Sequence, residues 1–258
     1  MSIGLAVRQG SRWAALVGSS VFGVLACVPW AAATPILAVQ FSDTGNGASL
    51  QGVPGSGAAQ GATFNDFNGS SGESSAPAMT FGSYTVNISG QTGFFVRPGF
   101  VTNNPPFDEA NLYNTFAYVN TNAASGTNSL SFSVAGLANS TAYSVTLYDF
   151  DASGLDGVHT VAYSGLSGTL GAASSGYTAG TQPTADDAFS GTGTFTTNSS
   201  GTLTIQVTDT FSGSTDAGSG VRLNGFVINA IGVPEPAACT LLALGGLGLF
   251  IAARRRRG

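Results

Sequence analysis

The sequence predicts an all-β protein in which residues 34–232 form one large β-sandwich or jelly roll. Apolar residues alternate with Ser and Thr most regularly at Leu130, Phe132 and Val134, as expected for a strand with one buried face. β-branched and aromatic residues dominate the apolar set of this range, and clusters of Gly, Asn, Pro and Ser recur between the apolar segments as turn signals. No long helical pattern accompanies them. Together these features are typical of a β-sandwich.

The predicted elements follow the chain in order. Thr63–Asn68 is expected to be a short strand or a turn, and the Ser- and Gly-rich range Ser164–Asp186 a loop. Gly225 is expected to form a bulge, because glycine inside a strand often marks one. The predicted strands are Pro35–Phe41, Met79–Ile88, Phe94–Val101, Leu112–Val119, Leu130–Val134, Tyr143–Leu147, Val158–Tyr163, Ala188–Thr196, Thr202–Thr208 and Val221–Ile231.

One short segment resembles a known β-sandwich family. Leu137–Val145 reads Leu-Ala-Asn-Ser-Thr-Ala-Tyr-Ser-Val, which is similar to the Leu-x-Pro-Gly-Thr-x-Tyr-x-Val corner of fibronectin type III domains, with Asn139 and Ser140 in place of Pro-Gly. The resemblance implies that the Tyr143 hydroxyl bonds back to the backbone. Such modules have about 100 residues, so two would fit, but strands continue on both sides of the segment and favour one larger sandwich.

Residues 1–33 have the pattern of a secretory signal peptide. Arg8 and Arg12 supply the positive start, Trp13–Val28 is the apolar stretch, and Ala31 to Ala33 provide a small-x-small cleavage site. The mature chain is therefore expected to begin at Thr34. Two alternatives are an uncleaved membrane anchor and a lipoprotein acylated at Cys27, since Val24-Leu25-Ala26-Cys27 resembles a lipobox.

The last 26 residues, 233–258, predict a membrane-spanning end. After Pro234-Glu235-Pro236, residues 237–253 carry no charge, and as a helix they would extend about 26 Å, within the range for crossing a bilayer. Arg254, Arg255, Arg256 and Arg257 follow. Because positive charge is retained in the cytoplasm, the C-terminus is expected inside and residues 34–233 outside.

This ending resembles the PEP-CTERM sorting signal of exported bacterial proteins. The match consists of Pro234, Glu235 and Pro236, the apolar span 237–253 and the arginine cluster 254–257, in that order. The resemblance implies recognition by an exosortase, with Glu235 and its flanking prolines as the recognised element. It further implies delivery to the cell surface or extracellular matrix of bacteria that make exopolysaccharide, with transient or permanent anchoring through 237–253.

The charge pattern bounds the partners of the region between the two ends. Residues 34–232 contain no lysine and only Arg97 and Arg222 against twelve acidic residues, a net charge of −10. Nucleic-acid binding is excluded, because phosphate contacts need a basic surface. Both cysteines, Cys27 and Cys239, lie in the terminal segments, so neither a disulfide nor a thiolate metal site is expected in this region.

The sharpest local motif is the run Asp149-Phe-Asp-Ala-Ser-Gly-Leu-Asp-Gly157. Oxygens of Asp149, Asp151, Ser153 and Asp156 have the spacing of the first half of a calcium loop. The second half departs from an EF-hand, because Thr160 stands where a bidentate Glu is required. Two interpretations stay open: a solvated acidic loop that joins two strands, or a non-EF calcium site at a strand end.

The remaining ionisable residues predict no catalytic centre. Asp186-Asp187, Asp108-Glu109, Asp209 and Asp216 are expected to be solvated turn residues. His159, the single histidine, is expected in an ordinary strand position, since no nucleophile motif accompanies it. A zinc site is not expected either.

The predicted function is therefore structural or adhesive, in the matrix or at the envelope, and without catalysis. The alternative is a carbohydrate-binding module that recognises exopolysaccharide, using rings among Phe94, Phe95, Phe100, Phe107, Tyr113, Phe116, Tyr118 and Tyr148. A row of exposed coplanar rings would favour the module, and a smooth Ser/Thr/Asn face the structural role. A hydrolase, the third class, would need two acids that converge in a cleft.

Overall fold

A computed structural model describes residues 34–43, 62–97, 100–103, 108–121, 123–151, 157–166, 172–178, 180–213 and 220–231. The predicted signal peptide, the predicted spanning helix 237–253 and the sorting segment 233–258 lie outside these ranges. All described strands belong to one compact unit, Ala33–Ile231. Within the described ranges, no helix has the length and apolar character needed to cross a membrane.

The described residues form thirteen strands and one four-residue helix. The helix, α1, is Ala110–Tyr113. The strands are β1 Thr34–Asp43, β2 Asn65–Gly69, β3 Met79–Phe81, β4 Tyr84–Ser89, β5 Gly93–Val96, β6 Thr115–Tyr118, β7 Ser125–Ala135, β8 Ala142–Asp149, β9 Val158–Gly165, β10 Ala172–Thr178, β11 Ser190–Thr196, β12 Leu203–Ser212 and β13 Arg222–Ala230.

These strands form two sheets, which confirms the all-β prediction. The seven-stranded sheet has the order β11-β8-β13-β1-β2, and β6 joins it through β13 and carries β5. The six-stranded sheet has the order β10-β9-β12-β7-β4-β3. The pairings are antiparallel except for β1 with β2, which is parallel.

The main hydrophobic core contains residues from both sheets. Phe132 of β7 stacks on Phe226 of β13, with ring centroids 4.5 Å apart. Alternate residues of β12, namely Leu203, Ile205 and Val207, are wholly buried on the same side. This is the alternation that identified the strands in the sequence.

A second hydrophobic cluster covers the other face of the seven-stranded sheet. Val227, next to Phe226 in β13, points to this side and belongs to the cluster, as do Leu112 and Tyr113 of α1. Phe150 stacks on Phe189 within it, at 4.6 Å between centroids. Strand β13 is consequently buried on both faces, from Arg222 to Asn229.

Two of the predicted strands differ in the structure: one is divided by a turn, and the other begins later because a helical turn replaces its start. The predicted strand Met79–Ile88 is a hairpin of β3 and β4, because the chain turns at Gly82, whose φ of +62° suits glycine. Residues Ala110–Tyr113, which overlap the start of the predicted strand Leu112–Val119, are helical instead. A single helical turn carries too few residues to show a helical period.

Strand β10 falls inside the predicted loop Ser164–Asp186, so that prediction was wrong. It pairs with β9 over seven residues, with Tyr177 opposite His159. Its sequence, Ala-Ala-Ser-Ser-Gly-Tyr-Thr, contains one large apolar residue and therefore has no detectable alternation.

The contact expected from the fibronectin-like segment is present. The backbone N–H of Ala138 donates a hydrogen bond to the Tyr143 hydroxyl oxygen, at 3.0 Å. Tyr143 is otherwise buried in the main core, so this bond satisfies its polar end.

The predicted bulge at Gly225 is also confirmed. The pairing of β13 with β8 shifts register between Leu223 and Gly225. At this position β1 approaches closely from the other side, since the carbonyl oxygen of Val39 would lie 2.4 Å from a Cβ on Gly225.

Replacing Gly225 with Ala is expected to lower the free energy of unfolding by about 1–3 kcal/mol, the usual range for overpacking. The added methyl group would meet Val39 O and would lie 2.9 Å from Leu112 Cδ1. Urea denaturation measures the loss. Gly126→Ala is the control, because a methyl group there meets only the Phe211 ring, at 3.5 Å. Equal stability of the two variants would contradict this packing.

Candidate functional site

Both arginines of the range 34–232 bind the same carboxylate, that of Asp151. Arg97 Nε lies 2.7 Å from Asp151 Oδ1, and its Nη2 donates to Oδ2 at 3.0 Å. Arg222 Nε donates to Oδ2 at 3.1 Å. Arg222 Nη1 also donates to the carbonyl oxygens of Val119, Gly220 and Val221. The arrangement joins the ends of β5, β8 and β13, and it satisfies a wholly buried carboxylate.

This arrangement bears on the predicted acidic loop. Asp149 and Asp151 are both wholly buried, so neither is the solvated residue that one interpretation required. The Tyr163 hydroxyl donates to Asp149, and two guanidinium groups hold Asp151. A calcium ion would have to compete with these arginines, while Ser153 and Asp156 lie outside the described residues. Among the described residues, no group of three or more His, Cys, Asp or Glu side chains could hold a metal ion.

His159 and Asp209 form a buried pair between β9 and β12. His159 Nδ1 lies 2.7 Å from Asp209 Oδ2, and both side chains are wholly buried. The imidazole stacks on the Tyr177 ring at 4.4 Å between centroids, almost parallel to it. His159 thus has the strand position that was predicted, but Asp209 is not a solvated turn residue. It continues the buried alternation of β12 by one more step, and this periodicity was a signal available in the sequence.

The acidic residues of 108–109 and 186–187 lie together, although they were predicted as separate solvated turns. The Asp187 backbone N–H donates to Glu109 Oε2 at 2.7 Å, and the Asp108 N–H donates to Asp186 Oδ1 at 2.9 Å. The Tyr148 hydroxyl donates to Asp187 Oδ1 at 2.7 Å. Glu109 is 1% exposed. No local sequence signal relates these segments, because the contact spans 78 positions.

Burial raises the pKa of Glu109 to about 8. Desolvation is the largest cause, the Asp187 N–H opposes it, and the charges of Asp187, Asp186 and Asp108 add to it. A carboxyl group with a raised pKa can serve as a general acid, but this one is covered by protein. The main expected effect of its protonation is therefore on the free energy of unfolding.

Glu109→Gln is expected to flatten the dependence of stability on pH. The folded-state pKa of about 8 exceeds the ordinary glutamate pKa of 4.5, so the folded protein keeps a proton that the unfolded chain releases. Stability from this group is complete below pH 4.5 and falls as pH rises towards 8, by at most about 1.4 kcal/mol per pH unit. Urea denaturation of both proteins from pH 4 to 9 measures the two slopes. Parallel slopes would contradict the raised pKa, and Glu73→Gln, at a half-buried carboxyl elsewhere, serves as the control.

Among the described residues, the most exposed phenylalanine side chains lie beside Arg97. Its Cζ lies 5.2 Å from the Phe95 ring centroid and 5.8 Å from that of Phe100. Phe95 is 37% exposed and Phe100 is 55% exposed, whereas Phe116 is buried beneath and stacks on Phe95. We call Phe95, Arg97 and Phe100 the Arg97 patch. Tyr118 adjoins it but is inclined at 79° to Phe95, so the rings do not form a coplanar row.

The outer side of the six-stranded sheet is uncharged and mostly polar over its described strands, and Val158, 51% exposed at the start of β9 opposite Ser212, is its exposed large apolar side chain. Its rows follow from the register, in which Ser131 lies between Ser89 and Gln206, and Thr208 lies between Ser129 and Ala162. Thr127 and Thr210 approach to 3.2 Å between their hydroxyl oxygens. We call this surface the hydroxyl face; its members are Thr85, Asn87, Ser89, Thr127, Ser129, Ser131, Ser133, Thr160, Ala162, Ser164, Thr204, Gln206, Thr208 and Thr210.

The chain matches no protein-family model, no curated protein and no solved structure. Its function is therefore inferred from its own residues. Two described surfaces are candidate contact sites: the hydroxyl face and the Arg97 patch.

Proposed function

We propose that this chain is an exported protein, sorted by an exosortase to the cell surface or extracellular matrix, where its two-sheet sandwich has a structural or adhesive role without catalysis. The observation that carries the proposal is the hydroxyl face. Ser, Thr, Asn and Gln side chains can each donate and accept hydrogen bonds, so a broad row of them suits contact with other hydroxyl-bearing material.

The charge distribution supports this use of the hydroxyl face. Residues 34–232 have a net charge of −10, which opposes close approach of other acidic surfaces. No acidic residue of the described strands points out from this face, since Asp209, the acid of β12, points inwards to His159. Another molecule can therefore contact the hydroxyl face without placing its acidic groups against acidic side chains of this face.

The position of the strands is compatible with the proposed processing. β1 begins at Thr34, directly after the predicted cleavage site at Ala31 and Ala33, and β13 ends at Ala230, shortly before Pro234. Removal of both terminal segments would leave every described strand intact. The β domain could therefore remain folded after it separates from the membrane segment.

Glu235→Ala is expected to block sorting. The wild-type protein from its native cell should begin at Thr34, lack residues 237–258 and lie outside the cell, whereas the variant should keep its arginine cluster and stay in the membrane. Intact-mass measurement of each cell fraction distinguishes these forms. If the wild type and the variant both kept residues 254–257 in the membrane, the tail would be a plain anchor.

Thr208→Glu tests the hydroxyl face. A carboxylate at this central position should release the protein from the cell surface or matrix, raising the washed-off fraction several-fold, because it adds charge where contact is made. Thr208→Gln is the control, since it has the same size without the charge. The measurement is the bound and released protein after washing, with circular dichroism to establish folding. Equal release of both variants would exclude the face from the contact.

Carbohydrate binding is the second candidate function. The observation that favours it is the Arg97 patch, where two exposed rings flank a hydrogen-bond donor. Aromatic rings with an adjacent polar group suit the mixed apolar and hydroxylated faces of sugars.

A further inference from the structure

We infer that the Arg97 patch binds an uncharged glycan chain, with pyranose rings against Phe95 and Phe100 and sugar hydroxyls accepting hydrogen bonds from Arg97. This inference rests on the second candidate function and names its site and ligand class. The structural role of the hydroxyl face does not depend on it.

The backbone that carries the Phe100 ring is held in place. The next residue, Val101, exchanges two buried hydrogen bonds with Asn114: its N–H donates to Oδ1 at 2.9 Å, and Asn114 Nδ2 donates to its carbonyl at 2.8 Å. Gln182 Nε2 donates to the Phe100 carbonyl oxygen at 3.0 Å. These bonds set the position of the backbone at Phe100 and Val101, from which the Phe100 ring, 55% exposed, extends into solvent.

The second ring has the same kind of support. Phe95 lies in β5, where the alternating Phe94 is wholly buried and Phe95 points outwards. Its inner side rests on the buried Phe116, at 5.9 Å between centroids. The outer side is thus a fixed apolar surface on the sheet, which suits the C–H groups of a sugar ring.

Arg97 supplies directional hydrogen bonds between these rings. Its Nε and Nη2 face Asp151, while Nη1 has no hydrogen bond to any described residue. The side chain is 22% exposed. A guanidinium held on one edge by a buried carboxylate keeps its Nη1 in a constant direction, so it can orient a hydroxylated ligand.

The charges favour a neutral ligand over an acidic one. Arg97 and Arg222 share the carboxylate of Asp151, so one of the two positive charges at this cluster is offset. The net charge of −10 on residues 34–232 repels a polyanion. An uncharged chain meets no such repulsion and needs only stacking and hydroxyl contacts.

Two cellulose derivatives with the same sugar backbone test the inference. The full-length chain in neutral detergent is immobilised, and binding of hydroxyethylcellulose, which is uncharged, is compared with that of carboxymethylcellulose, which carries carboxylates. We expect hydroxyethylcellulose to bind more tightly at low salt. Phe100→Ala should weaken its binding up to about tenfold, the loss of one stacking contact. Phe100→Trp, which keeps a ring, should retain it.

Leu166→Ala is the matched control, because Leu166 is as exposed as Phe100, at 58%, and lies outside the patch. It should leave binding unchanged. The inference is overturned if the wild type does not bind hydroxyethylcellulose, if Phe100→Ala binds as the wild type does, or if carboxymethylcellulose binds more tightly. These failures would leave the response of surface retention to Thr208→Glu unaffected, so the two proposals fail separately.

Discussion

The described structure depends on the burial of β13 on both faces. This strand pairs with β1 and β8 along its length and with β6 at its start. On one side Phe226 stacks on Phe132 of the other sheet, and on the other side Val227 enters the second cluster. A central strand of this kind is usually a continuous apolar run, but β13 contains Arg222, Asn224 and Asn229. Their burial requires polar partners from other elements.

Those partners organise the connections around the sheets. Asn224 Nδ2 donates to the carbonyl oxygens of Thr115 and Phe150, at 2.8 and 3.2 Å. Arg222 requires the buried Asp151, and Asp151 in turn binds Arg97. The carboxylate of Asp151 therefore compensates the burial of Arg222 in β13 and also holds Arg97 of the exposed patch in position. Stability and the proposed binding surface share one carboxylate.

Several ionisable side chains are enclosed in the protein, whereas the surface proposed for contact is uncharged. His159, Asp209, Asp149 and Asp151 are enclosed and engaged with protein partners, and Glu109 is covered, which raises its pKa to about 8. The side chains on the hydroxyl face instead carry no charge. Enclosed hydrogen-bonded and ion pairs make specific connections between strands, whereas an uncharged surface permits contact over a large area. The same separation suits a protein that is stable outside the cell and acts through its surface.

Sequence alone determined the strand positions wherever apolar residues alternate, as in β7, β8 and β12, and it identified the bulge at Gly225 and the hydrogen bond of Tyr143. Periodicity and glycine chemistry are local, so neighbouring residues suffice to reveal them. The terminal signals also come from composition and order along the chain, and they remain predictions. Strand β10 could not be found in this way, because its pairing with β9 rather than its own side chains makes it a strand. Tertiary structure alone decided that Asp209 faces His159, that Glu109 meets Asp187 and that Arg97 and Arg222 share Asp151. These partners lie 50 to 78 positions apart. Alternation along β12 shows that Asp209 faces inwards, but no local pattern shows which side chain it meets.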